Sequence, residues 1–148
     1  MIQPPVVSLM LTTVIVVAVL SAGALHAQRD GADRKPSLSL RATPPVGFSP
    51  LRVRVAVDVR GGADDYSDFY CPTIEWDWGD GTVSENAEDC DPYEAGKSAI
   101  RRRFSAEHVY RQSGTFQVFL RLKQKDKTIG VSSANVQVRA GIRDEFDR

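Results

Sequence analysis

The stretch LRVRVAVDVR, residues 51–60, puts Leu51, Val53, Val55, Val57 and Val59 on every second position, alternating with Arg52, Arg54, Ala56, Asp58 and Arg60. Successive side chains of a strand point to opposite faces, whereas a helix repeats about every 3.6 residues. Five aliphatic residues at period two therefore define a half-buried β-strand. The same period recurs along the chain. Leu38, Leu40 and Ala42 share a face, with Arg41 on the other. Ile74, Trp76 and Trp78 alternate with Glu75 and Asp77, so both indoles enter one core, where large rings bury much surface. Gly79-Asp80-Gly81 follows at once, and its glycines let the backbone take positive φ and reverse direction. Phe116, Val118, Leu120 and Leu122 alternate with Thr115, Gln117, Phe119 and Arg121, and Ala134, Val136 and Val138 mark a last strand over 131–138. A weaker strand is expected over 100–106, where Arg102 interrupts the apolar face between Ile100 and Phe104. The prolines and glycine of ATPPVGFSP stop the first strand, and KQKDKT forms a polar turn. About seven short strands with turn signals between them and no helical pattern predict an all-β antiparallel sandwich.

At 148 residues the chain has room for one domain. Basic and acidic residues number nineteen each, so net charge draws it toward neither nucleic acid nor anionic membrane, and no nucleic-acid partner is expected. The charge is unevenly placed. From Asp58 to Glu94 there are twelve acids and one base, Arg60, which leaves seven acids against eighteen bases elsewhere.

The first 27 residues carry no Asp, Glu, Lys or Arg, and Val6 to Leu20 is almost continuously apolar before SAGALHAQ. Fifteen apolar residues ending in Ala-x-Ala at Ala22 and Ala24 match a secretory signal peptide over 1–27, cut after Ala27 in preference to Ala24. As a helix they reach about 22 Å, short of the roughly 30 Å hydrocarbon core. Counting on through Leu25 gives twenty uncharged residues, long enough for an uncleaved anchor, and no basic residue precedes the run. Both alternatives imply export: secreted, periplasmic or cell-surface. In the anchored case this segment is the only membrane contact. A flexible tether is expected over 28–36, the sandwich over 37–140 and a polar tail over 141–148.

GFSPLRV, IEWDWGDGT and HVYRQSGTFQVFLRL together resemble the polycystic kidney disease (PKD) domain, over about Leu38 to Val138. The resemblance implies an immunoglobulin-like β-sandwich in which Trp76, Asp77, Gly79, Asp80, Gly81, His108, Tyr110 and Gly114 are structural signature positions. Trp78 stands where the family usually has phenylalanine. The departures are two acidic stretches flanking the signature hairpin and the cysteines within them. Tyr110, at a corner of the sandwich, is expected to bond nearby backbone through its hydroxyl, by analogy with the tyrosine corner.

Cys71 and Cys90 are the only cysteines, nine residues before and ten after Asp80. A hairpin turning at Asp80 sets them opposite each other, and in an exported protein this favours a disulfide over free or intermolecular thiols. Catalysis has little to work with. Beyond the apolar segment His108 is the only histidine, which excludes a multi-histidine zinc site, and the resemblance implies a structural position for it, which leaves any serine nucleophile short of a convincing base. Glu75 and Asp77 imitate a glycosidase acid pair, yet strand carboxylates two apart ordinarily just face solvent. No cofactor and no metal are expected. The alternative is calcium among Asp64, Asp65, Asp68, Asp77, Asp80, Glu88, Asp89 and Asp91, whose spacing matches no defined calcium loop.

The resemblance further implies protein–protein or protein–carbohydrate contact, so the leading expectation is a non-catalytic exported binding or adhesion module. A membrane-held spacer without ligand, and an accessory subunit of a polysaccharide-degrading enzyme, are the alternatives. In an immunoglobulin-like sandwich the first, second and fifth strands share a sheet. With the valines inward, Arg41, Arg52, Arg54, Arg101 and Arg103 line its outer face as a candidate anion-binding surface, toward an extracytoplasmic protein or acidic carbohydrate. Arg102 then needs a bulge, or must snorkel to the rim.

Overall fold

The computed structural model describes residues 34–141; the proposed signal or anchor, most of the tether and all but the first residue of the polar tail lie outside them. Eight strands form in chain order: β1 (Ser37–Thr43), β2 (Val46–Phe48), β3 (Leu51–Arg60), β4 (Thr73–Asp77), β5 (Val83–Asn86), β6 (Arg103–Tyr110), β7 (Gly114–Gln124) and β8 (Lys127–Arg139). They make two sheets, one of order β1-β3-β6 and one of order β2-β8-β7-β4-β5. The eighth strand, beyond the seven expected, is β2. After β1 the chain crosses to the other sheet, where β2 runs parallel to β8, Val46 opposite Gln137 and Phe48 opposite Arg139. Prolines on both sides hold β2 to three residues.

The alternation in β3 becomes the wall of the core. Val53, Val55 and Val57 are fully buried, and across the gap they face Val118, Leu120, Leu122 and Val136, also fully buried. Each such side chain contributes roughly 1.5–3 kcal/mol through burial. Trp76 and Trp78 join them at 4% and 2% exposure, with ring centroids 6.0 Å apart and nearly parallel planes. Phe69, in a short 3-10 turn at Ser67–Phe69, seals the end beside β7 at 2% exposure.

Two strand boundaries depart from expectation. The weaker strand runs over Arg103–Tyr110, and Ile100 to Arg102 stand outside it. Ile100 still reaches the core at 6% exposure, because its amide bonds the Asp64 carbonyl at 2.7 Å rather than a strand partner. Arg102 continues the register opposite inward-facing Val59, whose amide bonds its carbonyl at 2.8 Å. Its guanidinium escapes over the rim to the carbonyls of Gly61 (2.6 Å) and Gly62 (3.2 Å) and to the Asp64 carboxylate (2.7 Å). That is snorkelling without a bulge. The last strand begins at Lys127, four residues earlier than its apolar pattern, because a two-residue turn lets β8 pair with β7 along its whole length.

Candidate functional site

The β4–β5 turn shows what Gly-Asp-Gly does. Asp77 Oδ1 accepts from the Gly79 amide at 3.1 Å, and Asp80 Oδ1 accepts from the Thr82 amide (3.0 Å) and hydroxyl (2.6 Å). Short polar side chains that bond backbone two residues on are natural turn formers. Gly79 has φ +76°, and a Cβ there would lie 2.6 Å from the Gln117 carbonyl oxygen, so glycine is required twice over.

His108, on β6 in the other sheet, closes onto this turn. Its ring stacks on Trp78 at 4.6 Å, and its Nε2 lies 2.6 Å from Asp80 Oδ2, so Nε2 carries the proton and donates. Burial raises the Asp80 carboxyl, but hydrogen bonds from Thr82 and His108 outweigh it and hold the group below its ordinary 3.8. Tyr110 packs edge-on to His108 and stacks on Phe116 at 4.5 Å. Its hydroxyl donates to the Trp78 carbonyl at 2.9 Å, and burial pushes the phenol up to about 12. The hydroxyl thus bonds backbone as expected, but the carbonyl lies 32 residues away across the sandwich, because Tyr110 ends β6 facing the core. Above Tyr110 a cleft of about 390 Å³ opens, lined by Asp80, Thr82, His108, Arg111, Gln112 and Phe116. Nothing in it resembles a nucleophile–base pair: the Thr82 hydroxyl and the His108 proton both go to one carboxylate.

Glu75 and Asp77 share a face as expected, but not as an acid pair. Glu75 is held by Lys123 and by Arg121 at 2.8 Å, and Asp77 by Arg121 at 3.4 Å. The bond from Lys123 and then that from Arg121 keep Glu75 ionised, below its usual value. The Arg121 guanidinium also covers Phe119, 5.6 Å from the ring centre.

Cys71 and Cys90 form a disulfide with Cα atoms 6.3 Å apart. It lies just beyond the β4–β5 ladder, where both chains have left strand geometry, and closes the open end of the hairpin. The acidic stretch behind it is ordered: Tyr70 Oη donates to the Asp91 carbonyl (3.1 Å), Tyr93 Oη to the Asp65 carbonyl (2.7 Å), and the Gly96 amide to the Asp65 carboxylate (3.1 Å). Among the described residues the acids suggested for calcium do not gather in any group that could hold a metal ion.

On the three-stranded sheet, Arg41, Arg52, Arg54 and Arg103 lie exposed on the outer face, with Arg101 just before β6. The face also carries acids that the period-two pattern did not bring into account. Asp58 sits opposite Arg103 and bonds it at 2.8 Å, which holds the carboxyl below its usual value. Glu107 takes Arg52 at 3.4 Å, and Arg101 pairs with Glu88 while covering the Phe104 ring. Arg41 and Arg54 have no ion pair among the described residues, although Arg54 stands opposite Glu107. Arg60, at the end of β3, adds another base to the face. Cross-strand partners decide which arginines are neutralised, and register is invisible to a single strand's periodicity.

Two packed sheets, antiparallel except where β2 runs beside β8, a chain that crosses between them after β1 and a paired-tryptophan core define the class: a small immunoglobulin-like β-sandwich module. The solved structures similar to it include the PKD domain of an M14-like peptidase from a Thermoplasmatales archaeon, at 13% identity and TM-score 0.48, covering 70% of this chain and 96% of that one. A CARDB domain from Pyrococcus furiosus is similar at 10% identity and TM-score 0.46, over 70% of this chain and 93% of that one. A superoxide reductase from Ignicoccus hospitalis matches at 10% identity and TM-score 0.42, over 72% and 83%. No protein-family model matches the sequence, and no curated protein matches it. No helix among the described residues is long and apolar enough to cross a membrane.

Proposed function

We propose that the chain is an exported, non-catalytic binding module whose contact surface is the arginine-bearing face of the three-stranded sheet, directed at an anionic partner. The observation that carries this is the pair Arg41 and Arg54, exposed on a rigid sheet and engaged in no ion pair among the described residues. Across the face Arg41, Arg52, Arg54, Arg60 and Arg103 outnumber Asp58 and Glu107. A planar guanidinium fork matches carboxylate, sulfate or phosphate. The disulfide supports an oxidising compartment. The commitment of His108, Asp80, Glu75 and Asp77 to internal bonds supports binding over catalysis.

Retention on a heparin column tests it, comparing wild type with Arg41→Glu, Arg52→Glu and Arg54→Glu combined. The variant is expected to elute at lower salt while keeping its circular dichroism spectrum. Equal elution of the two folded proteins overturns the proposal.

A further inference from the structure

We infer that the partner of this face is a second copy of the same chain, which presents the acidic ridge beside its disulfide; the inference rests on the anion-binding reading above. The ridge is the segment from Ala87 to Lys97, exposed throughout, with Glu88, Asp89, Asp91 and Glu94. Glu88 is engaged by Arg101 and Glu94 by Lys97, while the Asp89 and Asp91 carboxylates have no partner among the described residues. The ridge is exposed yet fixed. Cys90 is tied to Cys71, Tyr70 bonds Asp91, Tyr93 bonds Asp65, and the two tyrosine rings meet at 5.6 Å. A charged strip already held in place loses little conformational freedom when it docks, which is the cost that ordinarily weakens loop contacts.

Within one copy the ridge reaches only the edge of the basic face. The Arg101–Glu88 pair marks where the ridge meets the rim of the three-stranded sheet, on the β6 side. Arg52 and Arg54 stand one strand further in and Arg41 two, at about 5 Å per strand, and the disulfide keeps the ridge from following. That same internal pair shows the chemistry an intermolecular contact would repeat, guanidinium on carboxylate. Basic face and acidic ridge are different surfaces, so the contact is heterologous and each copy keeps one free patch for the next. Association is then head to tail and salt-dependent, because exposed charges are screened over about 10 Å at 0.1 M salt and about 3 Å at 1 M.

Sedimentation velocity on the protein harvested after expression of the full chain tests this. The weight-average mass is expected to rise with protein concentration at low salt and to fall to the monomer in about 1 M salt. Arg41→Gln, Arg52→Gln and Arg54→Gln combined, or Asp89→Asn with Asp91→Asn, should each weaken self-association about tenfold or more. Mixing the two variants should restore a complex that stops at one to one, since each retains a single working patch. A monomer at every salt that still binds heparin through the arginines overturns the second copy and leaves the anion-binding face standing. A monomer that heparin ignores overturns both. Wild-type association unchanged by either variant also overturns the inference.

Discussion

Tyr110 Oη donates a 2.9 Å hydrogen bond to the Trp78 carbonyl, 32 residues earlier and just past the end of β4 in the opposite layer. Tyr110 is 1% exposed, so the bond joins the two layers within the buried core. Tyr110→Phe keeps the ring stacked on Phe116 and leaves a buried carbonyl without its donor. The expected loss is about 1–3 kcal/mol, the cost of an unsatisfied buried acceptor, read as a lower urea midpoint at unchanged slope.

The same hydroxyl makes an alkaline signature. Its pKa is raised to about 12 in the folded protein, so between the ordinary tyrosine value near 10 and that point the unfolded chain has released the proton and the folded one has not. Stability from this group is complete below about 10 and lost as pH rises through about 12. In an absorbance titration at alkaline pH, Tyr110 should ionise above the ordinary tyrosine range, near unfolding. A Tyr110→Phe variant whose folded-state titration loses a tyrosine ionising near 10 would contradict the geometry.

Asp80 sets the acid limb. Its folded pKa lies below the ordinary 3.8, so its contribution is present above that value and lost as pH falls through the folded one. Glu75, held low by Lys123 and Arg121, acts in the same direction. Urea midpoints measured from pH 6 down to pH 2 should fall below about pH 4 in wild type. Asp80→Asn should start from lower stability and show a shallower fall over that range.

The glycines of the signature turn separate two effects. Gly81 has φ +88° with open space around its Cβ position, so Gly81→Ala is expected to cost about 1 kcal/mol from backbone strain alone. Gly79→Ala adds a collision with Gln117 backbone on β7, 2.6 Å from the new Cβ. It should cost well over 1 kcal/mol, within the usual range for strained or overpacked positions. Thermal melting of the two variants, compared side by side, checks the order.

Cys71→Ser with Cys90→Ser removes the bridge that closes the hairpin, 19 residues apart in sequence. The loop-entropy relation gives a loss of about 3 kcal/mol. Limited proteolysis should then cut first between Ala87 and Lys97, whose backbone is otherwise pinned by Tyr70 and Tyr93. Cleavage elsewhere, with the ridge intact, would show that the disulfide does not order it.

Sequence alone determined which side chains face inward. Period-two patterns in β3, β4 and β7 place Val53, Trp76 and Leu120 in the core, because a strand's geometry ties position to face whatever it pairs with. The Gly-Asp-Gly turn and the opposed cysteines were legible for the same reason, being local features of one hairpin. Tertiary structure decided the rest. A three-residue strand set between prolines carries no period, so the crossing of β2 to the second sheet could not be read in advance. The partner of Tyr110, the clamp of His108 on Asp80 and the neutralisation of Arg52 and Arg103 by Glu107 and Asp58 all join residues 28 to 55 positions apart. Alternation tells which face a residue takes; only the register and the stacking of the two sheets tell which residue it meets there.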